Sequence, residues 1–349
     1  MAVLLVVAPH VRGRIRCSTT ELPGDGFIVI ASVAPYVLCH QSISRAWASH
    51  RDTGGMTSKP GSPPIEAEID AGRALLLPDP NCPRAYILLV NGVQQSYVNL
   101  DDPADVRYRY ARRMMGAVNF LFPCAAPVRA LHIGAGALTM PRYLATTRPG
   151  SSQLVVDNDA RLIELVKRHL PWEADSGIRV EVGDGREKLA GQPDGAYDIV
   201  ILDAFVGVDP PHHLASLEFV QEVARILAPS GWYLINLLHS RMLQRIRDQV
   251  ATVRSVLPSA CLVANGKALH DLGTGNVVLL AGRSAPPVEP LARWAARDWF
   301  DTRVLAGDTL DRFVAGTQAI SDASPPPPPL PEPEVTYSQS FVPARGRPV

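Results

Sequence analysis

Between Val128 and Leu238 the chain alternates short apolar runs with stretches whose apolar positions recur at helical spacing. Val128–Ile133, Gln153–Val156, Ile178–Val182, Tyr197–Leu202 and Gly231–Leu238 read as strands of a buried parallel sheet, rich in Val, Ile and Leu. The first four end on glycine or aspartate: Gly134-Ala135-Gly136, Asp157, Gly183-Asp184-Gly185 and Asp203. A helix is expected from His213 to Leu227 and another from His239 to Leu257, with Leu243, Ile246, Val250 and Val253 on one face. Ala260–Ala264 and Asn276–Ala281 add two strands, and Leu291–Arg297 and Thr309–Val314 read as short peripheral helices. The pattern predicts an α/β fold: an open sheet of seven strands with helices on both faces.

Upstream, Ala74–Leu77, Tyr86–Val90 and Val93–Val98 read as strands of a small β unit, with Asn91-Gly92 as a type I′ hairpin turn. Asp105–Val118 reads as a helix leading into the sheet. The expected domains are a poorly ordered N-terminal extension over 1–64, a β-hairpin unit over 65–104, an α/β domain over 105–320 and a proline-rich disordered tail over 321–349. In the extension, Phe27–Leu38 fits a strand or a short helix between prolines, and Met56 heads a leader-like segment at which translation is a candidate to begin.

Open α/β sheets bind ligands at the carboxyl ends of their strands, where these acids and glycines fall. Gly134 and Gly136 let the backbone turn tightly and approach a ligand without Cβ interference. Asp157 follows about 20 residues later, the spacing at which a carboxylate meets ribose hydroxyls; Asp159 is the alternative. Thr139 replaces the third glycine of the dinucleotide fingerprint, which argues against NAD. A single aspartate at such a boundary is ordinarily a helix N-cap or turn residue. Three in series behind a GxG point to a nucleoside crevice.

Lys plus Arg and Asp plus Glu balance at 34 each, so no global field recruits nucleic acid or an anionic membrane. No apolar run reaches the ~18 residues of a membrane span, and Met1–Ala8 is too short and uncharged for a secretory signal, so the expected location is the cytoplasm. Cys17, Cys39, Cys82, Cys124 and Cys261 form no CxxC pair, and no metal site is expected. His212 and His213 lack the spacing of a helical metal pair and are expected to enter the helix beyond Asp203; His132 is expected to be buried.

Taken in order, Leu131-His132-Ile133-Gly134-Ala135-Gly136, Val155-Val156-Asp157-Asn158-Asp159, Gly183-Asp184-Gly185 and Asp198-Ile199-Val200-Ile201-Leu202-Asp203 resemble the motifs of class I AdoMet-dependent transferases, and among them the spermidine synthase (polyamine aminopropyltransferase) family. Val90-Asn91-Gly92-Val93-Gln94-Gln95-Ser96 resembles that family's hairpin with a cofactor-contacting glutamine, and the likeness runs from about Ala67 to Gly282. The resemblance implies that Gln95, Gly134, Gly136, Asp157, Asp184 and Gly185 bind decarboxylated AdoMet or AdoMet, with Asp184 on the adenine side and Asp203 as catalytic base. It also implies that 105–320 is an AdoMet-transferase-like catalytic domain, with a small-molecule amine acceptor and a homodimer.

Three family carboxylates are replaced: one in the first loop, where Ala137-Leu138 stands; one three places after Asp203, where Val206 stands; and one two places after Tyr110, where Arg112 stands. An amine nucleophile with a pKa near ~10 arrives protonated and must lose that proton to attack the carbon beside a sulfonium. Asp203 can take it, with Tyr110 next in line. The missing acids would hold the remote ammonium groups of a polyamine, and Arg112 would repel them. Tyr108 and Tyr110 fit either core packing or the site. An AdoMet-dependent methyltransferase and a non-catalytic nucleoside-binding protein are the alternative readings.

Overall fold

The computed structural model describes residues 63–325, apart from 207–208, 241–242, 267–273 and 298–300, together with two short strands in the N-terminal segment. That segment forms a unit of its own, in which β1 (Thr19–Leu22) and β2 (Gly26–Val29) pair antiparallel. The remainder of the expected Phe27–Leu38 element, Met56 and Cys17 and Cys39 lie outside the described residues.

In the main unit β3 (Ile65–Ile69), β4 (Gly72–Pro78), β5 (Ala85–Val90) and β6 (Val93–Asn99) make a four-stranded antiparallel meander. Its first strand has no counterpart among the expected elements, although Ile65, Ala67 and Ile69 alternate with Glu66 and Glu68. The turn between β5 and β6 has Asn91 at φ 50° and Gly92 at φ 79°, the left-handed pair that a type I′ turn requires.

Among the described residues the core sheet has eight strands. In spatial order they are β14 (Thr302–Leu305), β12 (Ser259–Asn265), β13 (Thr274–Gly282), β11 (Leu227–Ser240), β10 (Tyr197–Leu202), β7 (Arg129–Ile133), β8 (Ser152–Asp157) and β9 (Ile178–Val182). From β9 to β11 the strands run parallel, and β13 enters antiparallel between β11 and β12. The eighth strand, β14, is a four-residue edge strand beyond the seven expected, too short to carry a periodic signal.

Helices cover both faces. One carries α1 (Arg109–Leu121) and α2 (Thr139–Thr147), packed on Ile199, Ile201, Leu234 and Val278; the other carries α5 (Leu217–Ile226) and α6 (Leu243–Arg254), packed on Val200, Leu202, Tyr233 and Leu237. Also in place are α3 (Ala160–His169), α4 (Gly185–Ala190), α7 (Val288–Ala295) and α8 (Gly307–Val314).

Several helix starts differ from those expected: the helix expected from His239 begins at Leu243, since β11 runs on to Ser240, and those expected from Leu291 and Thr309 begin at Val288 and Gly307. α1 begins at Arg109 rather than Asp105, because the Asp105 carboxylate accepts from Arg107 Nε at 3.0 Å while Arg107 Nη1 donates to buried Asp79 at 2.7 Å. This ion pair ties the segment to the hairpin unit before a helix can start. The element expected from His213 is a single 3-10 turn, His212–Leu214, and the helix proper is capped by Ser216, whose Oγ accepts from Phe219 N–H.

Candidate active site

The glycine-rich loop after β7 is held from three sides. Gly134 sits at φ 95°, and a Cβ there would lie 2.2 Å from the carbonyl oxygen of Asp203. Asp203 N–H in turn donates to Ile133 O at 2.8 Å, so the tips of β7 and β10 are locked edge to edge. Gly136, at φ 48°, faces Ser96 Oγ, which accepts from Ala137 N–H at 3.0 Å, while Thr139 Oγ1 donates to Tyr97 O at 2.9 Å. The hairpin unit is thereby fastened onto the loop. Gln95 lies on this docking strand as the extra residue of a β-bulge, since Leu88 pairs with Ser96 and Leu89 with Gln94. Bulges re-aim side chains beside functional sites.

Asp157, at the tip of β8, accepts from Ala135 N–H at 2.8 Å and from Asp159 N–H at 2.9 Å. One lone pair on each carboxylate oxygen is left for a ligand such as a ribose diol. Burial raises its pKa above the usual carboxylate value, partly offset by these two amides. Asp159, the alternative ribose ligand, is spent elsewhere. It is 5% exposed, caps α3 through Leu162 N–H, and accepts from Asp70 and Ala71 N–H in the β3–β4 turn.

Asp184 caps α4: Oδ1 accepts from Arg186 and Glu187 N–H, and Oδ2 pairs with His213 Nε2 at 2.7 Å. Burial alone would raise its pKa; the amides of Glu187 and Arg186 and the imidazole overcome that and hold it below the usual value. Gly185 serves close packing, since a Cβ would meet Ile133 Cγ2 at 2.5 Å. His132 is 1% exposed, bonds Gln153 Oε1 and is pushed down to about 4 by burial.

Asp203 follows the last residue of β10, beside the glycine loop. Desolvation raises its pKa to about 6, a shift moderated by hydrogen bonds from Asn236 and Tyr110. Asn236 Nδ2 donates to Asp203 Oδ1 at 2.7 Å, and Asn236 Oδ1 accepts from Asn276 Nδ2 at 3.0 Å. Tyr110, projecting from α1, has its hydroxyl within reach of both the Asp203 carboxylate and the Gln95 carbonyl. Its pKa lies well above 10, through burial and then the neighbouring Asp203 charge, so it donates here and is not the alternative base. Tyr108 stacks beside it at 6.4 Å and donates to Gln94 Oε1.

The sequence reading missed Ser96, Asn236 and Asn276. Neutral amides and hydroxyls at strand ends carry no motif, although Asn236 is a polar residue inside an otherwise apolar strand. Ala137 and Leu138 are 1% and 0% exposed and pack into the core under the hairpin unit, so that stretch of the loop presents no charge.

The methyltransferase domain family matches residues 131–235, the glycine loop through β11. The polyamine aminopropyltransferase of Vibrio vulnificus (strain CMCP6) is 33% identical over 157 residues, which cover 44% of this chain and 52% of that protein. The chain is homologous to the polyamine aminopropyltransferases. The Chromobacterium violaceum polyamine aminopropyltransferase aligns at 28% identity over 204 residues, covering 58% of this chain and 72% of that one. The chain therefore spans about half the length of one of these relatives and nearly three quarters of the other. A crystal structure of a probable spermidine synthase from Corynebacterium glutamicum ATCC 13032 superposes with a TM-score of 0.69 at 23% identity, over 78% of this chain and 100% of that one. The likeness is one of fold.

Proposed function

We propose that the chain binds an AdoMet-type nucleoside across the tips of β7, β8 and β9 and transfers its aminopropyl group to a small-molecule amine, with Asp203 as the general base. The observation that carries this reading is the Asp203 carboxylate. It is desolvated to a pKa of about 6, fixed by two donors, and seated against the glycine loop at the end of β10. A base works best with a pKa near the operating pH, and a surface aspartate would sit too low. In this reading Gln95, Gly134, Gly136 and Asp157 hold the nucleoside, with Asp184 and Gly185 shaping its adenine side. The decarboxylated donor is favoured by the homology to aminopropyltransferases. The reading includes a cytoplasmic location and a homodimer. No helix among the described residues is long and apolar enough to cross a membrane.

A second reading, transfer of a methyl group from AdoMet, is favoured by the buried apolar Ala137 and Leu138, because the decarboxylated donor's tail is an ammonium with no carboxylate of its own and would find none there, whereas AdoMet carries a carboxylate beside its ammonium. Calorimetry with AdoMet, decarboxylated AdoMet and methylthioadenosine separates the two. Tighter binding of the decarboxylated donor, with methylthioadenosine released when putrescine or spermidine is added, supports aminopropyl transfer. Preference for AdoMet, with release of adenosylhomocysteine, overturns it in favour of methylation. Binding without turnover of either donor leaves a nucleoside-binding protein. Asp203→Asn should lower turnover about 10²- to 10⁴-fold with little change in donor affinity. An undiminished rate removes Asp203 as the base.

A further inference from the structure

At the tips of β10, β11 and β13, two neutral side chains stand in line behind Asp203. Asn236 is 2% exposed, and its position on β11 continues the face of Leu234, towards α1, as Asp203 continues the face of Ile201. Asn276 sits diagonally across the β11–β13 ladder, where Asn236 is paired with Val278 and Leu238 with Asn276. Because Asn276 Nδ2 donates to Asn236 Oδ1, the Asn236 amide has only its Nδ2 to turn towards Asp203, and it does so at 2.7 Å. The second amide fixes the polarity of the first.

We propose that Asn236 and Asn276 form a two-amide relay of positioning residues that keeps Asp203 ionised and aimed at the amine nucleophile. This rests on the reading of Asp203 as the base.

The physical argument is a competition. Burial favours the protonated carboxyl, which takes up no proton from a nucleophile, whereas a donor aimed at Oδ1 favours the carboxylate. Among the described residues the groups bearing on Asp203 are few. Tyr110, from α1, offers a hydroxyl shared with the Gln95 carbonyl, and Tyr108 stands behind it. Arg113, also on α1, is turned to the Asn276 carbonyl at 3.2 Å and to Thr302 Oγ1 at 3.0 Å, bracing the far end of the relay. The β7 side offers Asp203 only the backbone, through Ile133 and Gly134. Asn236 is therefore the donor that is not shared. If Asn276 were lost, the Asn236 amide could rotate and present its oxygen, turning a donor into a repelling dipole.

The test is the carboxyl titration of Asp203, followed by carbon-13 NMR in aspartate-labelled protein, with the resonance assigned by its loss in Asp203→Asn. Asn236→Leu should raise the midpoint by about one pH unit or more, the tenfold change in ionisation expected for one lost hydrogen bond to a carboxylate. Asn276→Ala, which touches no atom of Asp203, should move it in the same direction by less. The acidic limb of kcat/KM should shift by matching amounts, with the rate recovering at higher pH. A merely structural role would lower the rate at every pH and leave the midpoint in place. Midpoints unchanged in the folded variants overturn the relay; if Asn236→Leu does not fold, Asn276→Ala alone decides. Shifted midpoints in a protein that turns over neither donor support the relay and remove the transfer reading instead.

Discussion

At the residue scale, two carboxylates at the strand tips on either side of β7 have different duties. Burial makes Asp203 harder to ionise than a surface carboxyl and leaves its pKa at about 6 even with Asn236 and Tyr110 donating to it. Activity that requires the carboxylate should fall as the pH drops through about 6, giving kcat/KM an acidic limb there. Stability runs the other way: with the folded pKa raised above the unfolded one, ionisation costs folding energy fully above about 6 and not at all below about 4. Asp203→Asn should therefore melt higher than wild type at neutral pH, with the gap closing near pH 4, as a scanning series would show. Asp157 does structural work alongside its proposed contact to ribose, because its oxygens hold the amides of Ala135 and Asp159. Asp157→Ala should weaken nucleoside binding by roughly 1.5 to 3 kcal/mol and also lower unfolding free energy by about 1 to 3 kcal/mol. Loss of stability without loss of affinity would assign the residue to the loop alone.

At the element scale, two of the polar contacts that join the hairpin unit to the rest of the fold each have a consequence. Ser96 and Tyr97 on β6 grip the glycine loop, bringing Gln95 to the crevice. Asp159 grips the β3–β4 turn from the start of α3. Asp159→Ala removes an N-cap, a loss of about 0.5 to 2 kcal/mol, and releases two amides of that turn. Hydrogen exchange should accelerate at Asp70 and Ala71 while the central strands stay protected. Unchanged exchange there would mean that apolar packing alone holds the turn.

At the scale of the whole molecule, the chain after α8 straps the α4, α5 and α6 face. Ile320 O accepts from Leu217 N–H at 2.7 Å, Ile320 N–H donates to Thr252 Oγ1 at 2.8 Å, and Asp322 takes both ends of the Arg186 guanidinium. The strap runs through Pro325, so the tail expected from 321 starts with ordered residues. Ending the chain at Gly316 strips partners from interior groups and should cost about 2 kcal/mol, seen as a lower melting temperature. Asp322→Asn, at an exposed ion pair, should cost less than about 1 kcal/mol. Equal losses would place the strap's energy in the ion pair. The sequence by itself determined which residues end the parallel strands, the glycine turn and the I′ hairpin, because strand periodicity and φ > 0 requirements are local signals. Only the tertiary structure decided which acids are open. Asp159 and Asp184 have the same chemistry as Asp157 and Asp203, but their oxygens are taken by amides and an imidazole brought from distant segments. Asn236 and Asn276 lie 40 residues apart and meet only because β11 and β13 pair antiparallel, so the hydrogen bond between them has no sequence signature.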